Sequence, residues 1–223
     1  MTQRDWVSWH GAYDDPESGL SRRLRDVQRQ IREAMGRVGP GEIRVVSLCA
    51  GQGRDLIGAL AGHPRREEVT ARLVELDPVN VAVARAMAKD ERLAGVEVVE
   101  SDAGRTDAYA GAVPADLVLA CGVFGNITDE DIHRTISILP QFCRPGATVV
   151  WTRNRRPPDI TADVCRWFEK HGFDYVWASA PHETGYGVGV HQYVGPPVQF
   201  RAGQRMFSFV GYDVLRSGAP WPK

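Results

Sequence analysis

Gly51 and Gly53 close the apolar run Val45-Val46-Ser47-Leu48-Cys49-Ala50 and lead into a helical pattern. A strand that enters such a turn and continues as a helix aims backbone N–H groups and a positive helix end at a ligand above the carboxyl edge of a sheet. Two carboxylates follow in step. Glu75 lies 22 residues after Gly53 and ends the next apolar run, where a carboxylate can accept both hydroxyls of a ribose. Asp102 ends the run after that, where it can accept from an exocyclic amine. The ligand expected from this set is nucleoside-like.

The common phosphate motifs are missing. A dinucleotide fingerprint needs a third glycine where Leu56 stands, and no Gly-Lys-Ser or Gly-Lys-Thr occurs anywhere. The ligand is therefore expected to lack a pyrophosphate.

The elements that must position these residues alternate. Leu20, Leu24, Val27, Ile31, Met35 and Val38 recur at steps of three and four, which predicts an amphipathic helix. Strands are predicted over 43–49, 69–76, 96–100, 117–121 and 147–152, with helices over about 55–61, 78–93, from Thr128 onward, and 161–171. Thr128 and Asp131 have the spacing of a capping box, and Pro78 suits a first helical turn. Further strands are expected over 173–178 and 205–212, with no helix between them, so they should pair antiparallel. The glycine- and proline-rich stretch 179–204 reads as a long loop. Strands alternating with helices imply an α/β fold, a mostly parallel sheet covered on both faces.

Composition sets the outer limits. At 223 residues, the usual ~150 per domain favours one domain with additions. Hydrophobic residues make up 43% and charged residues 25% of the chain, enough apolar material for a core. Lys plus Arg is 27 against 28 for Asp plus Glu, so no global positive field favours nucleic acid or anionic lipid. The start lacks a secretory pattern, no apolar run is long enough to span a bilayer, and the expected location is cytoplasmic. Cys49, Cys121, Cys143 and Cys165 are too dispersed for a zinc site, and no metal is expected; Asp116 and Asn126 alone do not make a ligand cluster.

In this order the motifs resemble those of the class I S-adenosylmethionine-dependent methyltransferases, over roughly Ile43 to Tyr212. Val45 to Gly53 looks like the family's first motif, which approaches the amino acid part of the cofactor. Val74-Glu75-Leu76-Asp77-Pro78 resembles the second, implying Glu75 on the ribose and Leu76 near the adenine. Ser101-Asp102-Ala103 matches the third, implying Asp102 on the adenine amine with the Ala103 N–H nearby. Asp116 to Ile127 looks like the fourth, which places Cys121 and Asn126 beside the methionine portion and the acceptor; Asn126 could equally satisfy its own backbone. The resemblance implies a three-layer Rossmann-like sandwich with a seven-stranded, mostly parallel sheet and an antiparallel last strand. It also implies S-adenosylmethionine as cofactor and S-adenosylhomocysteine as product. Two positions depart from the pattern: Ser47 replaces the usual acid, and Cys49 replaces the first glycine. Ser47 can reach the cofactor's ammonium only without charge, with Arg54-Asp55 following the turn as a compensating pair.

The segment layout expected is a helical lid over 1–40, a cofactor core over 41–178, a substrate-side insertion over 179–204 and a final antiparallel strand over 205–215. His182 and His191, in or beside the long loop, are candidates for an acid or base. Tyr186 in the same loop and Tyr13, after the aromatic run Trp6 to Ala12, are placed on the substrate side. Arg153, Arg155 and Arg156 read as a solvated loop. The fourth motif lacks the Asn-Pro-Pro-Tyr type of sequence, and no Pro-Cys pair marks cytosine methylation, so a small-molecule acceptor is expected over nucleic acid, with no membrane partner. A monomer or homodimer is expected. The reading is methyl transfer to an O, N or C nucleophile. An aminopropyltransferase, which needs extra carboxylates such as those at Glu130-Asp131, and a noncatalytic cofactor-binding protein are the alternatives.

Overall fold

A computed structural model describes residues 13, 15–155, 157–180 and 185–210. The chain forms α1 (Gly19–Arg37), β1 (Ile43–Leu48), α2 (Arg54–Leu60), β2 (Val69–Glu75), α3 (Pro78–Asp90), β3 (Val96–Glu100), β4 (Ala115–Ala120), α4 (Asp129–Ile138), β5 (Cys143–Asn154), α5 (Thr161–Lys170), β6 (Phe173–Ala178) and β7 (Tyr186–Tyr193).

The Thr128 cap and the first-turn Pro78 anticipated from sequence are in place, beside two further caps. Ser18 caps α1, its hydroxyl accepting from the Ser21 N–H, and Thr128 caps α4 by accepting from Asp131. Asp77 caps α3 with Pro78 in the first turn, where its missing N–H removes no bond. The stripe on α1 is buried at Leu20, Val27, Ile31 and Met35, each such side chain contributing about 1.5–3 kcal/mol.

The seven strands form one sheet in the order β3-β2-β1-β4-β5-β7-β6. All neighbours pair parallel except β7, which lies antiparallel between β5 and β6. Apolar residues of α1, α2 and α3 pack on one face, with Val45, Leu73, Leu119 and Val190. Those of α4 and α5 pack on the other, with Val46, Val118, Val149 and Trp151. This is the three-layer sandwich expected. The chain reverses direction of sheet growth between β1 and β4, and at such a switch point the crevice above the strand ends is where α/β proteins bind ligands.

The position of the antiparallel strand corrects the sequence reading. It is 186–193, inside the stretch read as an insertion; of the segment 205–215 expected as the final strand, 205–210 forms only an isolated antiparallel bridge between Arg205 and Arg105, and 211–215 lie outside the described residues. The glycines that made 186–193 look like a loop make room for side chains of β5 and of the residue that follows it. Gly189 pairs with Trp151, and a Cβ there would collide with the indole; one on Gly187 would press on Arg155. Strand propensity counts glycine as a weakness, but here the missing side chain is a packing requirement.

Candidate functional site

The turn after β1 is built from left-handed backbone. Cys49, Gly51 and Gly53 have φ of 49°, 55° and 74°. Glycine adopts such angles freely and cysteine does not, so Cys49 stands at a position where the backbone itself favours glycine. The Ala50 N–H donates to the Val74 carbonyl at 2.9 Å and the Gly53 N–H to the Ala50 carbonyl at 2.9 Å, tying the turn to β2.

Glu75 organises the centre of the crevice. Its Oε2 accepts from the Gly51 N–H at 2.8 Å, and its Oε1 accepts from the Leu76 and Asp77 N–H groups, both at 2.9 Å. A carboxylate offers about four acceptor positions. Three donors therefore fix its direction and leave capacity for a ligand hydroxyl. Asp102, just past β3, accepts from the Gly104 N–H through Oδ1 at 2.8 Å and from Arg205 through Oδ2 at 2.8 Å.

Cys49, Glu75, Leu76, Asp102 and Ala103 line one cavity of about 190 Å³ with Arg205, Phe207, Ser208 and Phe209. Whole ligand pockets run to roughly 300–1,000 Å³, so this one has the size for a single moiety. The five residues from the first three motifs were legible in the sequence. The four from 205–209 were not, because that segment reads as a strand. Burial, reinforced by Glu75 and Asp102, pushes the Cys49 thiol well above its usual pKa, which leaves it a neutral lining group.

The remaining predicted residues fall in three other places. Ser47 is buried on β1, in register with Leu73 and Leu119. Cys121 is buried just after β4, and burial raises its pKa well above the usual value, with Asp55 adding to the effect. Asn126 takes the backbone role: its Nδ2 donates to the Gly122 carbonyl at 2.6 Å.

Tyr13 and Tyr186 meet on Arg23, a residue the sequence reading passed over. Arg23 Nη2 donates to the Tyr13 hydroxyl at 2.6 Å, and its guanidinium lies 5.8 Å from the Tyr186 ring centroid. Arg54 lies 5.3 Å from the Tyr13 ring centroid, over the ring. Burial disfavours charge on Arg23, yet Tyr13, Asp55 and Cys121 outweigh it and the guanidinium's pKa is raised. The signal was present: Leu20, Arg23, Leu24 and Val27 share the helical spacing of the stripe, so a charged residue was interposed on the buried face.

His191 corrects a further expectation. It is fully buried on β7, its ring stacked 4.4 Å from Phe168 and its Nδ1 accepting from Trp151 Nε1 at 3.1 Å. Burial lowers its pKa to about 4. An imidazole enclosed in this way exchanges no proton with an acceptor, so His191 is a core residue. His182, Arg156 and the run from Trp6 to Ala12 lie outside the described residues. Arg153 and Arg155 are also less solvated than expected, pairing with Asp129 and Asp159 at 3.4 Å each.

A second cavity, of about 230 Å³, lies at the amino-terminal end of the sheet among Arg37, Asp116, Gly146 and Gln192. Asp116 is held there by Arg144 at 2.9 Å and by the Arg44 N–H at 2.8 Å. It therefore sits at the opposite end of β4 from Asn126. No helix among the described residues is long and apolar enough to cross a membrane.

The sequence matches a family model described as "Putative methyltransferase" over residues 17–177. No curated protein matches it. Among solved structures, an O-methyltransferase family protein from Burkholderia thailandensis is 17% identical with a TM-score of 0.56, over 75% of this chain and 56% of that one; the chain thus spans little more than half of that protein. Magnesium protoporphyrin IX methyltransferase from Synechocystis PCC 6803, solved with bound SAM, is 14% identical with a TM-score of 0.64, over 86% of this chain and 92% of that one. Precorrin-6y C5,15-methyltransferase from Geobacter metallireducens is 14% identical with a TM-score of 0.55, over 76% and 88%. At these identities the likeness establishes the fold.

Proposed function

The chain belongs to this methyltransferase family, and from that membership we propose that it transfers a methyl group from S-adenosylmethionine to an O, N or C nucleophile of a small molecule. The observation that carries the reading is the cavity in which the ends of β1, β2 and β3 bring Cys49, Glu75, Leu76, Asp102 and Ala103 together. The Synechocystis relative, of the same fold, holds SAM.

The residues fit the cofactor's adenosine end. Glu75, oriented by three backbone donors, accepts from a ribose hydroxyl with its remaining capacity. Leu76 offers an exposed apolar surface to the base, and Asp102 with the Ala103 N–H addresses its edge. The backbone of Cys49, Ala50 and Gly51 approaches the methionine portion, with Gly53 opening α2 and Ser47 and Cys121 flanking from β1 and β4. When bound, the cofactor supplies an electrophilic methyl group on a sulfonium. The protein's part is then alignment, which in well-oriented reactions supplies most of the acceleration.

In this reading Tyr13, Arg23 and Tyr186 form the acceptor-side wall. Burial raises the Tyr13 pKa, so the group presented is a neutral phenol that accepts from Arg23. No general base is assigned.

The test is titration calorimetry with S-adenosylmethionine and S-adenosylhomocysteine, NAD as control, and a Glu75→Ala variant. Micromolar binding of the first two, about 8 kcal/mol, with none of NAD and a loss in the variant, is the expected result. Failure of both to bind would remove the proposal.

A further inference from the structure

One wall of the cavity comes from residues that none of the motifs contains. Gln204 to Val210 crosses the carboxyl ends of β3 and β4 and is bonded at every stage. The Thr106 N–H donates to the Gln204 carbonyl at 3.0 Å, the Met206 N–H to the Gly104 carbonyl at 2.8 Å, and the Val210 N–H to the Asn126 carbonyl at 3.1 Å. Asp131 on α4 accepts from the Ser208 N–H at 2.9 Å. Met206 and Phe207 are buried. The backbone passes so close that a Cβ on Gly104 would strike the Phe207 carbonyl. This is a built wall, and it fixes where Arg205 stands.

Arg205 Nη1 donates to Asp102 Oδ2 at 2.8 Å and also lies 3.4 Å from the Phe207 carbonyl. Both side chains of the pair keep about two fifths of their surface, 42% and 41%, and both line the cavity. Asp102 does not need Arg205 for its orientation, since the Gly104 N–H already holds Oδ1. What Arg205 adds is a cation and further donors beside the carboxylate, in a cavity that also holds Glu75. A carboxylate alone accepts from a 6-amino group and repels a 6-keto oxygen. A carboxylate with a guanidinium beside it presents an acceptor and a donor together, which softens that repulsion.

Resting on the reading that this cavity takes the adenosine end of the cofactor, we propose that Arg205 is a specificity-determining residue for the cofactor's base, reading the substituent at the purine 6-position jointly with Asp102. Its removal therefore sharpens the choice between amino and keto purines, because the keto oxygen then faces the carboxylate without a donor.

The experiment is titration calorimetry of S-adenosylhomocysteine and S-inosylhomocysteine, which exchange a 6-amino for a 6-keto group and, with it, an N1 acceptor for an N1–H donor. The proteins are the full chain, Arg205→Ala and Arg205→Gln, each first checked for folding by circular dichroism. The wild type is expected to bind the amino compound about tenfold more tightly. Arg205→Ala is expected to widen that ratio at least about fivefold, charged hydrogen bonds being the stronger kind. Arg205→Gln should fall between because its amide still donates. A ratio that is unchanged or smaller in Arg205→Ala overturns the proposal. A wild type that binds neither compound overturns instead the cofactor assignment on which it rests.

Discussion

Trp151 on β5 and Gly189 on β7 are directly paired across an antiparallel ladder, and the indole fills the space a side chain on Gly189 would need. The same indole lies 6.1 Å from the Phe168 ring and donates to His191. The joint between the parallel part of the sheet and its antiparallel strand is therefore a packing arrangement in which one residue is large because its partner is absent.

That arrangement makes Gly189→Ala a sharp test. The indole is fully buried and has no solvent to move into, so overpacking should destabilise the fold by about 1–3 kcal/mol. Urea unfolding of the variant measures it. A change within about 0.5 kcal/mol would mean that β7 is not seated against Trp151 as described.

The same pair shows what the sequence could and could not convey. Parallel strands buried on both faces are continuous apolar runs, so 43–48, 69–75 and 115–120 were readable within a residue or two, and their glycine and proline punctuation fixed the helices between them. Glu75 and Asp102 were readable because each ends such a run. β7 was not, because Gly187 and Gly189 answer to Arg155 and Trp151, distant in sequence, which no local pattern reports. Phe207 and Phe209 suggested a strand from their apolar content, whereas long-range hydrogen bonds to Gly104 and Asn126 decide their course. Arg23 left a trace in the helical stripe, but only the position of Tyr13 and Tyr186 gives it meaning.

Cys49 occupies left-handed backbone at φ 49°, which costs a residue with a Cβ roughly 1–2 kcal/mol relative to glycine. Its side chain also packs against the core cluster, which offsets part of that cost. Cys49→Gly should accordingly change unfolding stability by less than about 1 kcal/mol and leave S-adenosylhomocysteine binding in place. Cys49→Val, β-branched at the same angle, should destabilise by about 2 kcal/mol or more. Paired denaturation curves decide it, and equal effects of the two variants would contradict the strain argument.

His191 gives stability a pH dependence of known sign. Its pKa falls from 6.5 in the unfolded chain to about 4 in the folded protein through burial. Between those values the unfolded state binds more protons, so stability rises with pH, is complete above about 6.5 and is lost as pH falls towards 4, by about 3 kcal/mol in all. His191→Gln retains an acceptor for the Trp151 N–H without the titration. Unfolding at pH 5 and pH 7.5 should show a smaller difference in the variant than in the wild type; the same difference in both would refute the assignment.

Tyr13 accepts the short hydrogen bond from Arg23, which is 4% exposed. Tyr13→Phe keeps the ring beneath Arg54 but removes the acceptor. Losing the partner of a buried charged donor costs about 1–3 kcal/mol, and if this cluster is the acceptor-side wall, the loss should fall on turnover rather than on cofactor binding. Calorimetry with S-adenosylhomocysteine should give an affinity within about twofold of the wild type, while stability falls. A large loss of cofactor affinity would move Tyr13 from the acceptor side to the cofactor side.

The Glu75 carboxylate is already committed to the Gly51, Leu76 and Asp77 N–H groups, so its replacement acts in two ways at once. Glu75→Ala removes the proposed ribose acceptor and also the clamp that joins the β1 turn to the end of β2. Glu75→Gln keeps the side chain's shape but points an amide N–H at one of the three backbone donors. Both should weaken S-adenosylhomocysteine binding by about 10–100-fold, the range for losing one or two charge-assisted hydrogen bonds. They differ in the absence of ligand: Glu75→Ala can admit water to the freed donors, whereas Glu75→Gln buries opposed donors and should unfold at lower temperature. Melting curves with and without the ligand separate the two contributions. A variant that binds as tightly as the wild type would show that the ribose is held elsewhere, even with the family unchanged.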